Sequence, residues 1–232
     1  MIQITLSDDI TNPCPDLHVL AISCKVKNTP ADDDLWKEIH KIEEDIRLNV
    51  KLNEINKWLP IYATRQAYKK LGKDPNRYRP SAESLRRRIL RELPLYKIDT
   101  LVDLINLVSI KSGYSIGGFD MDKISGNLLT LGVGQKDEEY HGIGRGLLNI
   151  EGLPVYRDHI GGIGTPTSDE ERTKIGLETT SLLMIINGYS GKEGLLEAGE
   201  YAVNLLNKYN EAKDTEAFLI TKDKQTPIFY KK

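Results

Sequence analysis

The sequence predicts an α+β fold in which a central, mostly antiparallel sheet carries an N-terminal layer of helices. Two apolar, β-branched segments near the start, MIQITL and LHVLAISCKV, are typical of strands. Apolar residues then recur at helical spacing from about residue 32 to residue 111. After Gly113, short apolar segments alternate with glycine-rich turns, which indicates further strands. The 232 residues contain no internal repeat or low-complexity linker, so we expect one compact domain over 1–232.

Four helices are predicted in the first half of the chain. The first covers about 32–59, and the second ends at Gly72, because glycine readily adopts the left-handed conformation that follows a last helical turn. In the third helix, Ser81 is predicted as the N-cap, and Glu83 lies in the first turn, where its charge complements the helix dipole. The fourth helix is predicted over about 100–111.

The second half predicts strands, loops and one further helix. Strands are predicted for NLLTLGVG, LPVYRD and the long KIGLETTSLLMIING, and for a terminal hairpin made by AFLITKD and TPIFYKK. The helix is GKEGLLEAGEYAVNLLNKY. SIGGFD and HIGGIGTPTS are interpreted as glycine-rich loops. The glycine pair Gly117–Gly118 makes the first of these loops either a tight packing corner or the floor of a pocket.

Composition argues against several classes of protein. A hydrophobic content of 39% and a charged content of 28% are ordinary for a soluble globular domain. No apolar run reaches about 18 residues, and MIQITLSDDI does not resemble a signal peptide, so we expect a cytoplasmic protein without a membrane partner. Cys14 and Cys24 are expected to be reduced, and no cysteine or histidine shows metal-ligand spacing. We therefore predict neither a metal nor a cofactor.

Positive charge is concentrated between Arg65 and Arg91. This segment holds ten basic and two acidic residues, a net charge of +8, which leaves −10 for the rest because the whole chain carries −2. Such a segment is either a solvated helix surface paired with acidic neighbours or a binding surface for a polyanion, whose phosphates release counterions when neutralised.

The generic motifs are ambiguous. HGIGRG and HIGGIG resemble phosphate-binding loops, but neither is a GxGxxG sequence before a helix and neither ends in GK[ST]. Asp158 directly precedes His159, and adjacent strand residues point to opposite faces, which disfavours an acid–base pair. Glu178 lies in the apolar segment GLETTSLLMII, where it is either buried for a functional purpose or turned to solvent by alternation.

Three ordered segments resemble a known family. TLVDLINLVSIKSGYSIGGFDMDKI, residues 100–124, resembles the segment that opens the B3/B4 editing domain in the beta subunit of bacterial phenylalanyl-tRNA synthetase. DPNRYRPSAESLRRRIL is similar to a signature of free-standing B3/B4-domain proteins, and ERTKIGLETTSLLMIING resembles their later RT…ETT strand. The resemblance implies a B3/B4-like domain, with N-terminal strands and a helix over 1–60 and the B3/B4 core over 61–232.

This resemblance implies a hydrolase that cleaves the ester between a wrong amino acid and the terminal adenosine of tRNA. The family's glutamate falls on Glu178, the implied catalytic residue, and its histidine falls on Gly117, so Gly117 and Gly118 are expected to enlarge the pocket. Backbone donors at Gly161 and Gly162 are expected to stabilise the oxyanion. The full set of expected substrate-binding residues is Asn106, Gly117, Gly118, Asp158, Gly161, Gly162, Thr173 and Thr180. The expected tRNA-binding residues are Arg79, Arg86, Arg87, Arg88 and Arg91.

Three hypotheses about function follow. The leading one is a trans-editing deacylase whose partner is mischarged aminoacyl-tRNA. The second is a non-catalytic tRNA-binding or RNA-binding module that kept the fold and lost the chemistry. The third is a binder or hydrolase of a free amino-acid derivative, without an RNA partner.

Overall fold

The computed structural model describes residues 2–230, and six α-helices and eleven strands lie within them. The helices are α1 (Asp8–Thr11), α2 (Asp33–Asn49), α3 (Leu59–Lys70), α4 (Ser81–Leu90), α5 (Thr100–Ser112) and α6 (Leu195–Tyr209). The strands are β1 (Gln3–Leu6), β2 (His18–Lys25), β3 (Ile116–Asp120), β4 (Leu128–Val133), β5 (His141–Gly142), β6 (Gly146–Leu147), β7 (Pro154–Arg157), β8 (Gly162–Gly164), β9 (Ser181–Gly188), β10 (Lys213–Ile220) and β11 (Gln225–Ile228). Met1, Lys231 and Lys232, which belong to the predicted first strand and terminal hairpin, lie outside the described residues.

The strands form two main sheets and one small hairpin. The larger sheet has five antiparallel strands in the order β11-β10-β2-β9-β3, so β3 lies at its edge. The smaller sheet has the order β1-β4-β7-β8, in which only the β1–β4 pair is parallel. Strands β5 and β6 pair separately. The predicted α+β fold with a mostly antiparallel central sheet is confirmed.

The five-stranded sheet is covered on both faces. On one face, Met184 of β9 packs in a core with residues of α2, α5 and α6. On the other face, Leu183 and Ile185 of β9 pack against Leu129 and Leu131 of the smaller sheet. Every residue of β9 is buried, which explains why its sequence is continuously apolar rather than alternating. Each such side chain contributes about 1.5–3 kcal/mol through burial.

Several predicted element boundaries are wrong. The first long helix ends at Asn49 because Val50 adopts an extended conformation, with a φ of −121°. The predicted strand over 174–188 begins only at Ser181, because a turn precedes it in which Gly176 N donates to Thr179 Oγ1 at 3.0 Å. Ser81 begins α4 as its first helical residue, and its side chain caps nothing.

Helix α5 is fixed at both ends and therefore positions its side chains precisely. Asp99 is the N-cap, and its carboxylate accepts a hydrogen bond from Val102 N at 2.9 Å. Gly113 ends the helix with a φ of +80°, and the Trp58 ring packs so closely that a Cβ on Gly113 would lie 2.7 Å from it. A left-handed conformation and a close aromatic contact both require glycine at this position.

Candidate functional site

A cavity of about 410 Å³ lies between α5, the edge strand β3 and the segment 165–175. Its apolar wall consists of Ile98, Val102, Ile105, Ile116, Ile143 and Ile175, with the backbone of Gly118 between them. Its polar lining consists of Ser81, Asn106, Ser109, Thr165, Ser168, Asp169 and Lys174. An apolar cavity with a few convergent polar groups has the character of a small-molecule site.

Asp169 is the carboxylate of this pocket. Its Oδ2 accepts a hydrogen bond from Gly118 N at 3.1 Å, so it satisfies a backbone donor on the open side of β3. Removal from solvent raises the pKa of the Asp169 carboxyl from 3.8 to about 7, although the Gly118 N–H opposes this by favouring the charged form. A carboxyl that titrates near neutrality inside a cavity is a candidate for general acid–base chemistry.

The loop that carries Asp169 is held by buried hydroxyl groups. Thr165 Oγ1 accepts hydrogen bonds from Thr167 N and Ser168 N at 3.2 and 3.0 Å, which closes a tight turn. Tyr140 Oη donates to Ser168 O at 2.7 Å, and Tyr68 Oη lies 2.9 Å from Thr167 Oγ1. Because both tyrosines are almost completely buried, they anchor the loop to the core and restrict the position of the carboxylate.

The glycine pair on β3 serves close packing. A Cβ on Gly117 would lie 2.7 Å from the Phe119 ring and 3.4 Å from Asp169 Oδ1. A Cβ on Gly118 would clash with Ile105 Cδ1 and lie 2.9 Å from Ile175 Cδ1, both in the pocket wall. The expectation that this pair enlarges the pocket is therefore wrong, because neighbouring side chains already fill the space that the glycines leave.

A second cavity of about 420 Å³ continues from the pocket, and we call it the arginine groove. The two cavities share Ser81, Ile98 and Asn106 in their linings. The carboxamide of Asn106 lies at this junction and makes no hydrogen bond to any residue in 2–230. The guanidinium groups that line the arginine groove are those of Arg79, Arg87, Arg88, Arg91 and Arg145.

One buried carboxylate organises part of this groove. Glu83 is 0% exposed, and its carboxylate lies 2.8 Å from Arg65 Nη1 and 2.7 Å from Arg87 Nε. A third guanidinium, that of Arg79, lies 3.6 Å away. Three positive groups thus converge on one negative group, and two of the three, Arg79 and Arg87, also line the groove. The excess charge favours an anionic ligand there.

Comparison with known proteins now decides the family. A family model described as the B3/4 domain matches residues 63–211. The chain belongs to the B3/4 domain family. The fold is also similar to that of an N-terminal fragment of the phenylalanyl-tRNA synthetase beta-subunit from Pyrococcus horikoshii, with a TM-score of 0.54 and 15% identity. This match covers 97% of the chain and 54% of the fragment, so the chain spans about half the length of that fragment. No curated protein matches the sequence.

In this B3/4 domain, the predicted catalytic residue lies outside the pocket. The Glu178 side chain is 66% exposed in the turn before β9, and its carboxylate binds Lys123 Nζ at 2.7 Å. This ion pair lowers the pKa of the Glu178 carboxyl. The carboxylate within the pocket is that of Asp169.

Two other predicted groups lie away from the pocket lining. The Asp158 carboxylate is buried, pairs with Arg172 Nη1 at 2.8 Å and accepts a hydrogen bond from Gly161 N at 3.1 Å. Gly162 belongs to β8 and packs against Tyr140. Because Gly161 N is already engaged and Gly162 lies within the sheet, the expected oxyanion donors are not part of this pocket.

Of the remaining predicted binding residues, only Asn106 and Gly118 line the pocket. Gly117 packs behind it against Phe119, as described above. The Thr173 hydroxyl is buried without a hydrogen-bond partner in 2–230, and Thr180 is exposed beside Asp122. Neither threonine contributes to the lining of the cavity.

Among the predicted tRNA-binding arginines, Arg86 is the exception, because it is buried and only 4% exposed. Its guanidinium stacks on the Trp58 ring at 3.1 Å from the ring centroid, and its Nε donates to Ile110 O at 2.8 Å near the end of α5. Arg86 therefore satisfies a backbone carbonyl near the C-terminal end of α5 and does not face the groove. Arg79, Arg87, Arg88 and Arg91 do line the groove.

We expect Arg86→Ala to lower the free energy of unfolding by about 2–4 kcal/mol, because it removes a buried hydrogen bond to a helix carbonyl and a cation–π contact. Urea denaturation measures this loss. A free energy of unfolding equal to that of the parent protein would contradict this structural role.

Sequence reasoning missed Asp169 and Arg145. Asp169 lies in an irregular loop with no periodic pattern, and Arg145 belongs to the glycine-rich motif HGIGRG, which gave no reason to single it out.

Within 2–230, no group of three or more His, Cys, Asp or Glu side chains is arranged to hold a metal ion. No helix in that range combines the length and apolar character that a membrane crossing needs. Cys14 and Cys24 are buried free thiols, and burial raises the pKa of Cys24 to about 12.

Proposed function

We propose that this B3/4 domain hydrolyses mischarged aminoacyl-tRNA in trans, releasing a free amino acid and an intact tRNA. The observation that carries the proposal is the continuity of the Asp169 pocket with the arginine groove through Asn106. An aminoacyl-tRNA matches this arrangement. Its amino acid, which is joined by one ester to the end of the RNA, would lie in the pocket, and its polyanionic strand would lie in the groove. The fold that the chain shares with a fragment of a tRNA synthetase subunit supports the same substrate class.

In this proposal, Asp169 is the general base. Its carboxylate removes a proton from a water molecule as the water oxygen attacks the ester carbonyl carbon. The bond to the ribose oxygen then breaks, and that oxygen leaves with a proton returned by the Asp169 carboxyl. The unpartnered Asn106 amide lies at the junction of the two cavities, where it donates to the carbonyl oxygen as negative charge develops.

The pocket wall indicates which amino acids to test. Its side chains are largely branched aliphatic, and the one lysine in the lining, Lys174, already pairs with Glu171 at 2.7 Å. An acidic amino-acid side chain would lose its hydration here without gaining a free cation in the pocket, and a basic one would pair with the Asp169 carboxylate that the proposed reaction needs. We therefore expect apolar or hydroxyl-bearing aminoacyl groups to be accepted and fully charged ones to be rejected.

The test is deacylation of a panel of mischarged tRNAs by the purified protein. The panel contains apolar, hydroxyl-bearing, acidic and basic amino acids, each on a tRNA that should not carry it. We expect cleavage of at least one uncharged class, and Asn106→Ala should slow it about 10²–10³-fold by removing an oxyanion donor. Cleavage that is unchanged in Asn106→Ala would place the chemistry elsewhere. RNA binding without cleavage of any ester would favour a binding module and overturn the hydrolase.

A further inference from the structure

The motif HGIGRG forms a tight hairpin rather than a phosphate loop. Strands β5 and β6 pair through Gly142 and Gly146, and Arg145 N donates to Gly142 O at 2.9 Å to close the turn. Gly144 and Gly146 have φ values of +66° and +67°, in the left-handed region that side chains disfavour. The two glycines therefore allow a turn that presents the single side chain of Arg145 between them.

This hairpin is attached to the segment that carries Asp169. Ile143 N donates to Asp169 O at 2.9 Å, and Gly144 N donates to Glu171 Oε1 at 3.2 Å. Ile143 itself lines the pocket, while Arg145 lines the adjoining arginine groove. These hydrogen bonds fix the position of the hairpin, and with it Arg145, relative to the segment that carries Asp169.

Three of the four arginines that α4 and its flanking residues bring to the groove are engaged by other groups, whereas the fourth, Arg91, is exposed and unpaired within 2–230. Arg145 resembles Arg91 and differs from the other three. Its side chain is exposed and makes no hydrogen bond or ion pair with any residue in 2–230. In contrast, Arg79 and Arg87 lie within 4 Å of Glu83, and Arg88 donates to Pro94 O. Arg145 therefore brings an uncompensated positive charge to the groove from a separate part of the chain.

The arginine groove also has an exposed aromatic surface. Tyr96 lines the groove with 66% of its surface exposed, and the Arg88 guanidinium lies 4.3 Å from its ring centroid. Two further groove residues, Leu93 and Ile98, are exposed apolar side chains. Exposed aromatic and apolar surface beside unpaired arginines suits an unpaired nucleic-acid strand, whose bases stack while its phosphates bind the cations.

We propose that the β5–β6 hairpin is a phosphate-binding jaw that acts with Tyr96 to hold the unpaired 3′ end of an RNA. Arg145 binds backbone phosphate from the hairpin and Arg91 binds it from the end of α4, while a base stacks on Tyr96. The proposal builds on the proposed function, because it places the RNA strand whose terminal ester enters the Asp169 pocket. It also applies if the domain binds RNA without cleaving it.

The test measures binding of an uncharged tRNA, and of the same tRNA without its unpaired 3′ nucleotides, over a series of salt concentrations. For the intact tRNA, Arg145→Ala should raise Kd about fivefold and reduce the magnitude of the slope of log K against log salt by about 0.7, the value for one contact to single-stranded phosphate. Tyr96→Ala should raise Kd at least about fivefold through lost stacking, whereas Tyr96→Phe should retain affinity. Neither substitution should affect the truncated tRNA.

Lys136→Ala is the matched control, because Lys136 is exposed and does not line the groove. If Arg145→Ala behaves like Lys136→Ala, or weakens both RNAs equally, the jaw is overturned whatever the deacylation panel gives. If the binding effects appear although the parent protein cleaves no ester, the jaw stands and the hydrolase does not. Equal binding of free nucleotide and tRNA would also overturn the proposal, because the proposal requires a strand that contacts Arg145 and Tyr96 at the same time.

Discussion

Asp169→Asn is expected to lower the rate of ester cleavage by about 10²–10⁴-fold, the usual contribution of a positioned general base. The substitution keeps the shape of the side chain and an oxygen that can accept the hydrogen bond from Gly118 N. It removes the negative charge and with it the ability to take a proton. The measurement is single-turnover deacylation of the best substrate found in the panel.

The pH dependence of the rate distinguishes a general-base role of Asp169 from a loss of substrate binding in the variant. Since the pKa of Asp169 is raised to about 7, the carboxylate is the minor form below pH 7. The enzymatic rate, after subtraction of the spontaneous rate, should therefore rise about tenfold per pH unit below 7 and level off above it. Asp169→Asn should abolish this rise. Glu178→Gln, an equivalent amide substitution outside the pocket, should leave rate and profile unchanged, and a rate within threefold of the parent in Asp169→Asn would refute the assignment.

Stability provides an independent measurement on the same variant. The folded state binds a proton at Asp169 up to about pH 7, whereas the unfolded chain releases it near the ordinary pKa of 3.8. The contribution of this group to stability therefore falls as pH rises from about 4 through 7. Asp169→Asn removes this penalty, so it should stabilise the protein by as much as about 4 kcal/mol at pH 8, for a shift of about three pKa units, and by nothing measurable at pH 4.

Glu83→Gln is expected to lower the free energy of unfolding by about 3–5 kcal/mol, the usual cost of breaking a buried ion network from one side. The carboxylate is completely buried and close to three guanidinium groups, those of Arg65, Arg79 and Arg87. The amide would leave these positive groups without a counter-charge and would turn its own N–H groups toward them. Urea denaturation at pH 7 measures the loss.

Two controls make this result specific. Arg87→Met leaves Glu83 paired with Arg65, so it should cost much less, about 1 kcal/mol. Glu178→Gln breaks an exposed ion pair and should produce no measurable change in stability. If Glu83→Gln behaves like these controls, the network does not contribute to the fold and Glu83 has no organising role in the groove.

The sequence predicted much of the fold because its patterns are local. The start of α2 and the glycine that ends α5 depend on neighbouring residues, and both predictions were close to the observed elements. The predicted strand that contains β9 began too early, at residue 174, because the β-branched residues around Gly176 hid the turn there. Strand β3 was missed because glycines, which usually indicate loops, here permit close packing in a sheet.

The site was harder to predict because it depends on contacts between distant parts of the chain. Asp169 enters the pocket only because its loop lies against β3, about 50 residues earlier in the sequence. Residue types alone do not distinguish it from Glu170 and Glu171, which follow directly. The resemblance assigned the catalytic role to Glu178, and only three-dimensional position shows that this carboxylate faces solvent. Likewise, the burial of Arg86 depends on Trp58, which lies on a preceding turn.

The hydrogen bond between Gly118 N and Asp169 has a consequence for solubility and for evolution. Strand β3 lies at the edge of the five-stranded sheet, and an uncovered edge is a template for pairing with another chain. The loop that supplies the pocket carboxylate also covers this edge, so its loss would expose a strand that promotes aggregation. A descendant that no longer needed the chemistry would still be selected to keep the loop. The presence of this segment in such a descendant would therefore reflect protection against aggregation and would not indicate activity.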